Sequence, residues 1–128
     1  MKHENKPYRS VLYVPGCNDN ALKKARRLDI DSIIIDLEDS VLPDKKILTR
    51  EHVSQLLKEE RASFGNKKVI VRINSLLTEW GLDDLNEIAQ VSPDSILISK
   101  VENPIDLKTI ESNADITKNK ITIWAMIE

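Results

Sequence analysis

Three acids, Asp36, Glu38 and Asp39, follow directly on three isoleucines in Ser32-Ile-Ile-Ile-Asp-Leu-Glu-Asp-Ser-Val. The isoleucine run has strong β preference and reads as a parallel strand buried on both faces. Side chains alternate along a strand, so Asp36 and Glu38 are expected on one face, Leu37 and Asp39 on the other. Neighbouring carboxylates at a strand end need a cation, an arginine or water to answer them. Either the strand runs out into a solvated acidic turn, or it ends on the C-terminal rim of an α/β sheet, where such enzymes keep their chemistry.

Other apolar runs end the same way. Arg72 and Asn74 close Lys-Val-Ile-Val-Arg-Ile-Asn and are expected on a common face, as are Lys100 and Glu102 further on, while Glu128 closes the last run. Each alone is ordinary, because strand ends are where charge reaches water. Together they describe a charged ring at one end of a sheet. Carboxylates without thiols or imidazoles suit a hard cation such as magnesium. An arginine beside it suits bidentate capture of a substrate carboxylate.

The elements that must carry these groups can be read in order. Strands are expected over Arg9–Gly16, from Ser32, over Lys68–Asn74, over Ser95–Val101 and over Ile121–Glu128. Between them lie four helical patterns. The first, capped by Asn18 or Asp19, buries Ala21, Leu22, Ala25 and Leu28. The second starts at Pro43-Asp44, buries Ile47, Val53, Leu56 and Leu57, and breaks at Phe64-Gly65-Asn66. The third carries Leu82, Leu85, Ile88 and Ala89 and stops at Ser92-Pro93. Asn103-Pro104 opens the fourth. Alternating βα units with short connections call for a parallel sheet with right-handed crossovers. Spacing alone leaves barrel order and doubly wound order open.

Composition excludes several function classes. The chain has 128 residues and a formal charge of −2 with the signs interspersed, which suits one domain and neither a nucleic-acid nor a membrane surface. No apolar run approaches the ~18 residues of a spanning helix, and the N-terminus lacks a signal pattern. The single cysteine, Cys17, cannot form an internal disulfide and fits the reducing cytoplasm, and two histidines argue against a zinc site. Gly16, Gly65 and Gly81 stand alone, so no phosphate-binding glycine loop is present. No G-x-S-x-G elbow occurs.

Four motifs then carry a resemblance. Arg9-Ser-Val-Leu-Tyr-Val-Pro-Gly, Ser32-Ile-Ile-Ile-Asp-Leu-Glu-Asp-Ser-Val, Val69-Ile-Val-Arg-Ile-Asn and Ala125-Met-Ile-Glu fall in the order and spacing of citrate lyase beta subunits. The chain resembles that group within the HpcH/HpaI aldolase family, over the N-terminal half of its (β/α)8 barrel. The resemblance implies a partial TIM-type barrel, residues 1–128 as one truncated unit, with about five parallel strands in sequential order and four helices. It implies magnesium-dependent cleavage or formation of a carbon–carbon bond in short carboxylic acids or their CoA or acyl-carrier thioesters. Carried over by position, Arg72 grips substrate oxygens, Glu128 binds magnesium and lies against substrate, and Asp36, Glu38 and Lys100 stand behind them. Two departures are visible. Ser99-Lys100 replaces the family's Pro-Lys, and the second metal-binding aspartate would fall beyond residue 128.

The expectation is therefore a lyase-like chain impaired in catalysis. The alternative is a non-catalytic remnant or assembly element that binds carboxylates or a partner chain. A receiver-type signalling module fits poorly, since Arg72-Ile73-Asn74 stands where its phosphoacceptor aspartate belongs. Half a barrel would leave strand edges and inner positions such as Ile34, Ile70 and Trp124 open, which predicts self-association or a partner chain.

Overall fold

A computed structural model of the chain describes residues 10–99 and 104–126. Five strands form one parallel sheet: β1 (Val11–Pro15), β2 (Ser32–Asp36), β3 (Lys68–Ile73), β4 (Ser95–Ser99) and β5 (Thr122–Met126). Their spatial order is β1-β2-β3-β4-β5, every pairing parallel. The helices are α1 (Asp19–Arg27), α2 (Lys46–Glu60), α3 (Gly81–Gln90), α4 (Pro104–Glu111) and α5 (Ala114–Lys118). Five helices stand where four were expected, because Asn113 caps a fresh start, accepting from the backbone of Asp115 and Ile116. Asn18 caps α1 as expected, accepting from Ala21 N.

The two faces of the sheet differ in kind. On one, Val14, Ile33, Ile35, Val69, Val71, Ile73, Ile96 and Ile98 pack with Leu22, Val53, Leu57, Leu85, Ile88, Ile110 and Ile116 of the helices. On the other, Ile34, Ile70 and Leu97 form a separate cluster against Trp124, with no helix in it among the described residues. A doubly wound sheet carries helices on both faces. Sequential order with helices on one face is the arrangement of a (β/α)8 barrel segment. Ile34 and Ile70 are themselves buried, at 4% and 0% exposure, contrary to the expectation of open inner positions. The exposed apolar side chains of this region are Val11 and Tyr13 on β1, an edge strand among the described residues.

Three helix stripes also depart from expectation. Leu28, Ile47 and Leu82 are exposed; α1 buries only Leu22 and Ala25, the buried face of α2 is Lys46, Thr49, Arg50, Val53, Leu56 and Leu57, and that of α3 includes Asp84. Four and seven residues before Val53 lie Thr49 and Lys46, so helical phase, not hydrophobicity, decides which side chains face inward. Lys46, Arg50 and Asp84 join Asn74 in one network. Arg50 Nε donates to Asp84 Oδ1 at 2.7 Å, and Asp84 Oδ2 accepts from Asn74 N and Nδ2 at 2.9 and 2.6 Å. Such a pair is costly to break, about 3–5 kcal/mol on loss of one partner, since the other charge stays buried.

Gly81 allows α3 to start this close to the chain leaving β3. A Cβ there would stand 2.1 Å from the Ser75 carbonyl oxygen, a backbone atom with nowhere to go. Gly81→Ala should therefore lower stability by roughly 2 kcal/mol or more, read as a reduced midpoint in urea unfolding with an unchanged slope.

Candidate active site

Register builds the rim site. In the β2–β3 ladder Asp36 is the Cα partner of Arg72, and both lie on the face of Ile34 and Ile70, away from the helices. Arg72 Nε donates to Asp36 Oδ1 at 2.7 Å. Beyond Asp36 the strand ends in a tight turn. Asp36 Oδ1 also accepts from Glu38 N at 2.9 Å, and Oδ2 accepts from Ser40 N and Oγ at 2.9 and 2.6 Å. The turn keeps Glu38 on the side of Asp36, as expected. It also swings Asp39, expected on the opposite face, back toward Arg72.

The guanidinium consequently sits among three acids, held unequally. Its Nη1 is 3.6 Å from Glu38 Oε1 and its Nη2 is 3.8 Å from the exposed Asp39, both beyond hydrogen-bond range. Glu38 Oε1 accepts instead from Ser99 Oγ at 2.9 Å. The Tyr13 ring lies over Arg72, 5.4 Å from its centroid to the guanidinium carbon. Tyr13, Pro15, Asp36, Asp39, Ser40 and Arg72 line a concavity of about 340 Å³ at the C-terminal ends of the strands. One edge of the arginine fork is thus anchored, while its terminal nitrogens keep donors for an anion.

Asn74 parts from Arg72. β3 ends at Ile73, and the Asn74 side chain joins the buried network, bonded to Leu37 O, Asp84 and Lys46. Ser99, Tyr13 and Lys46 are additions to the site. Inner-face alternation from Leu97 could have found Ser99, and helical phase Lys46; Tyr13 needed the register that sets it beside Ile34. Lys100, Glu102 and Glu128 lie outside the described residues.

Metal ligation was the other expectation. Among the described residues no group of three or more His, Cys, Asp or Glu side chains could hold a metal ion. Asp36 already accepts hydrogen bonds on both oxygens, and Glu38 shares one with Ser99. Asp36 thus orients Arg72, and Glu128, the magnesium ligand that the resemblance implies, lies outside the described residues. Nor is any helix among them long and apolar enough to cross a membrane.

Burial pushes the Asp36 carboxyl up, but hydrogen bonds from Arg72, Ser40 and the Glu38 and Ser40 amides outweigh it and hold the pKa at about 2, from 3.8. The guanidinium of Arg72 is held charged chiefly by its bond to Asp36. A depressed folded-state pKa contributes stability present above the unfolded value and lost as pH falls through the folded one. Thermal midpoints of the wild type should fall between pH 4 and 2, with a share of roughly 2 kcal/mol from Asp36. Asp36→Asn, measured likewise, should be less stable at pH 7 and show a flatter decline over that window.

Residues 9–128 match the family described as HpcH/HpaI aldolase/citrate lyase. The chain is 44% identical to a (3S)-malyl-CoA thioesterase of Cereibacter sphaeroides, over 100% of this chain and 43% of that protein. It is 30% identical to the citrate lyase subunit beta of Escherichia coli, over 87% of this chain and 36% of that one. The chain thus spans under half the length of these relatives. Among solved structures, a magnesium/glyoxylate complex of Haloferax volcanii malate synthase superposes with a TM-score of 0.77 at 15% identity, covering 99% of this chain and 44% of that one. A match running from the first strand to the last residue, with the acidic turn and its arginine within it, is more than a shared fold: the chain belongs to the HpcH/HpaI aldolase/citrate lyase family.

Proposed function

We propose that these residues form the carboxylate-gripping part of an active site that acts beside a carbonyl in short carboxylic acids presented as CoA or acyl-carrier thioesters. One observation carries the reading. Arg72 is anchored through Nε by a buried carboxylate, while Nη1 and Nη2 stand 3.6 and 3.8 Å from their acidic neighbours at a concave rim. An incoming carboxylate or carbonyl oxygen would take those donors at closer range, displacing the exposed Asp39 at little cost. Tyr13 and Pro15 offer an apolar wall for the carbon skeleton.

Within this reading Arg72 binds and orients the substrate oxygens and stabilises negative charge that develops there. Asp36 keeps the fork in one plane. Magnesium belongs to the proposal through Glu128, outside the described residues. Weak carbon–carbon bond chemistry by residues 1–128 on their own is part of the same proposal. Lysine cannot reproduce the fork. Arg72→Lys should therefore weaken binding of succinate or oxaloacetate by roughly 2 kcal/mol, about thirtyfold, in calorimetric titration. Binding unchanged by that substitution would place the site elsewhere.

A second chemistry is favoured by the thioesterase relative. Incubation with malyl-CoA separates the two. Carbon–carbon cleavage releases glyoxylate and acetyl-CoA; thioester hydrolysis releases malate and free CoA. Self-association is also part of the proposal, resting on β1, whose exposed Val11 and Tyr13 lie on an edge strand. Light scattering should show a dimer or larger species that persists on dilution; a monomer at every concentration would count against it.

A further inference from the structure

We propose that Lys46 is a positioning residue for the rim site: its ammonium fixes the backbone of Leu37 and Glu38, and thereby sets Glu38 against Arg72 and Ser99. The inference goes beyond the carboxylate-binding reading but rests on it for its functional consequence. Lys46 occupies the first turn of α2 and is only 7% exposed. Its three N–H donors meet three acceptors: Leu37 O at 3.2 Å, Glu38 O at 2.7 Å and Asn74 Oδ1 at 2.7 Å. The Trp80 ring stands 5.2 Å from the ammonium. An ammonium uses all its donors only when the surroundings are built for it.

The cost of burying that charge calls for a reason. At this helical phase an apolar side chain would simply extend the stripe of Val53, Leu56 and Leu57. The reason lies just past the end of β2. Leu37 N still donates to Arg72 O, at 2.9 Å, but the strand has ended, and the next carbonyls turn toward α2. Lys46 takes both. With the Glu38 carbonyl fixed on one side, its carboxylate is sent to the other, where it accepts from Ser99 and faces Arg72. The support is continuous, for Asn74 is itself held by Asp84 and Asp84 by Arg50. Lys46 therefore ties the packing of α2 and α3 to the geometry of the acidic turn.

The test reads that turn directly. Amide hydrogen exchange of Glu38 and Ser40, both donors to Asp36, is followed by NMR in the full chain beside exchange of Ile34, Val71 and Leu97 in the strands. In Lys46→Met, protection at Glu38 and Ser40 should fall by about tenfold or more while the strand amides keep theirs, and Lys46→Arg should restore most of it. Succinate affinity should follow the turn amides across the three proteins. Unchanged protection at Glu38 and Ser40, or an equal loss at the turn and in the strands, would overturn the proposal. Should Lys46→Met fail to fold, Lys46→Gln, which keeps N–H donors on a shorter stem, is followed at the same amides. There too a selective loss at the turn supports the proposal, and an unchanged or uniform one overturns it. Selective loss at the turn, together with succinate binding that is absent or indifferent to Arg72→Lys, would support Lys46 as positioning residue while sinking the carboxylate reading.

Discussion

Asp36 and Arg72 face each other because β2 and β3 pair in one register, and the rim is arranged around that fact. A parallel ladder has a side-chain period of two, so a slip of one residue would turn Arg72 into the helix layer and Val71 onto the inner face. The slip is opposed along the whole strand. Ile33, Ile35, Val69 and Val71 are fully buried under the helices, and Ile34 and Ile70 are buried on the other side. Hydrophobic burial on two faces thus holds a charged pair in place.

Two kinds of polar order meet at the acidic turn. On the inner face, three carboxylates surround Arg72 and open to a concavity. On the helix side, Lys46, Arg50, Asn74 and Asp84 are closed off from water and bonded to one another. The first is the kind of arrangement a ligand can enter, because the terminal nitrogens of Arg72 are only loosely engaged. The second is saturated and suits support. The backbone of Leu37 and Glu38 belongs to both, which explains how a turn with no regular hydrogen-bond ladder can present its side chains in a defined direction.

Kinship and geometry speak to different questions. Family membership extends over the chain from the first strand onward, and the relatives it matches are more than twice as long. Those relatives include proteins named for different reactions of related acids.

Much of the molecule was legible in the amino-acid order. Isoleucine and valine runs bounded by polar residues located the strands, alternation predicted Asp36 and Glu38 on one side, and the motif order implied sequential strands. Those signals are local, and local periodicity survives without a fold. Other features were decided only in three dimensions. Ile47 is exposed and Lys46 buried because the phase of α2 against the sheet, not side-chain polarity, selects the inward face. Asn74 leaves the face of Arg72 because β3 stops at Ile73, and Asp39 returns to it because the chain turns after Asp36. Each depends on where a strand ends and what stands beyond it. A charged side chain is buried when complementary groups from distant segments converge on it, and that convergence is a property of packing which residue type does not encode.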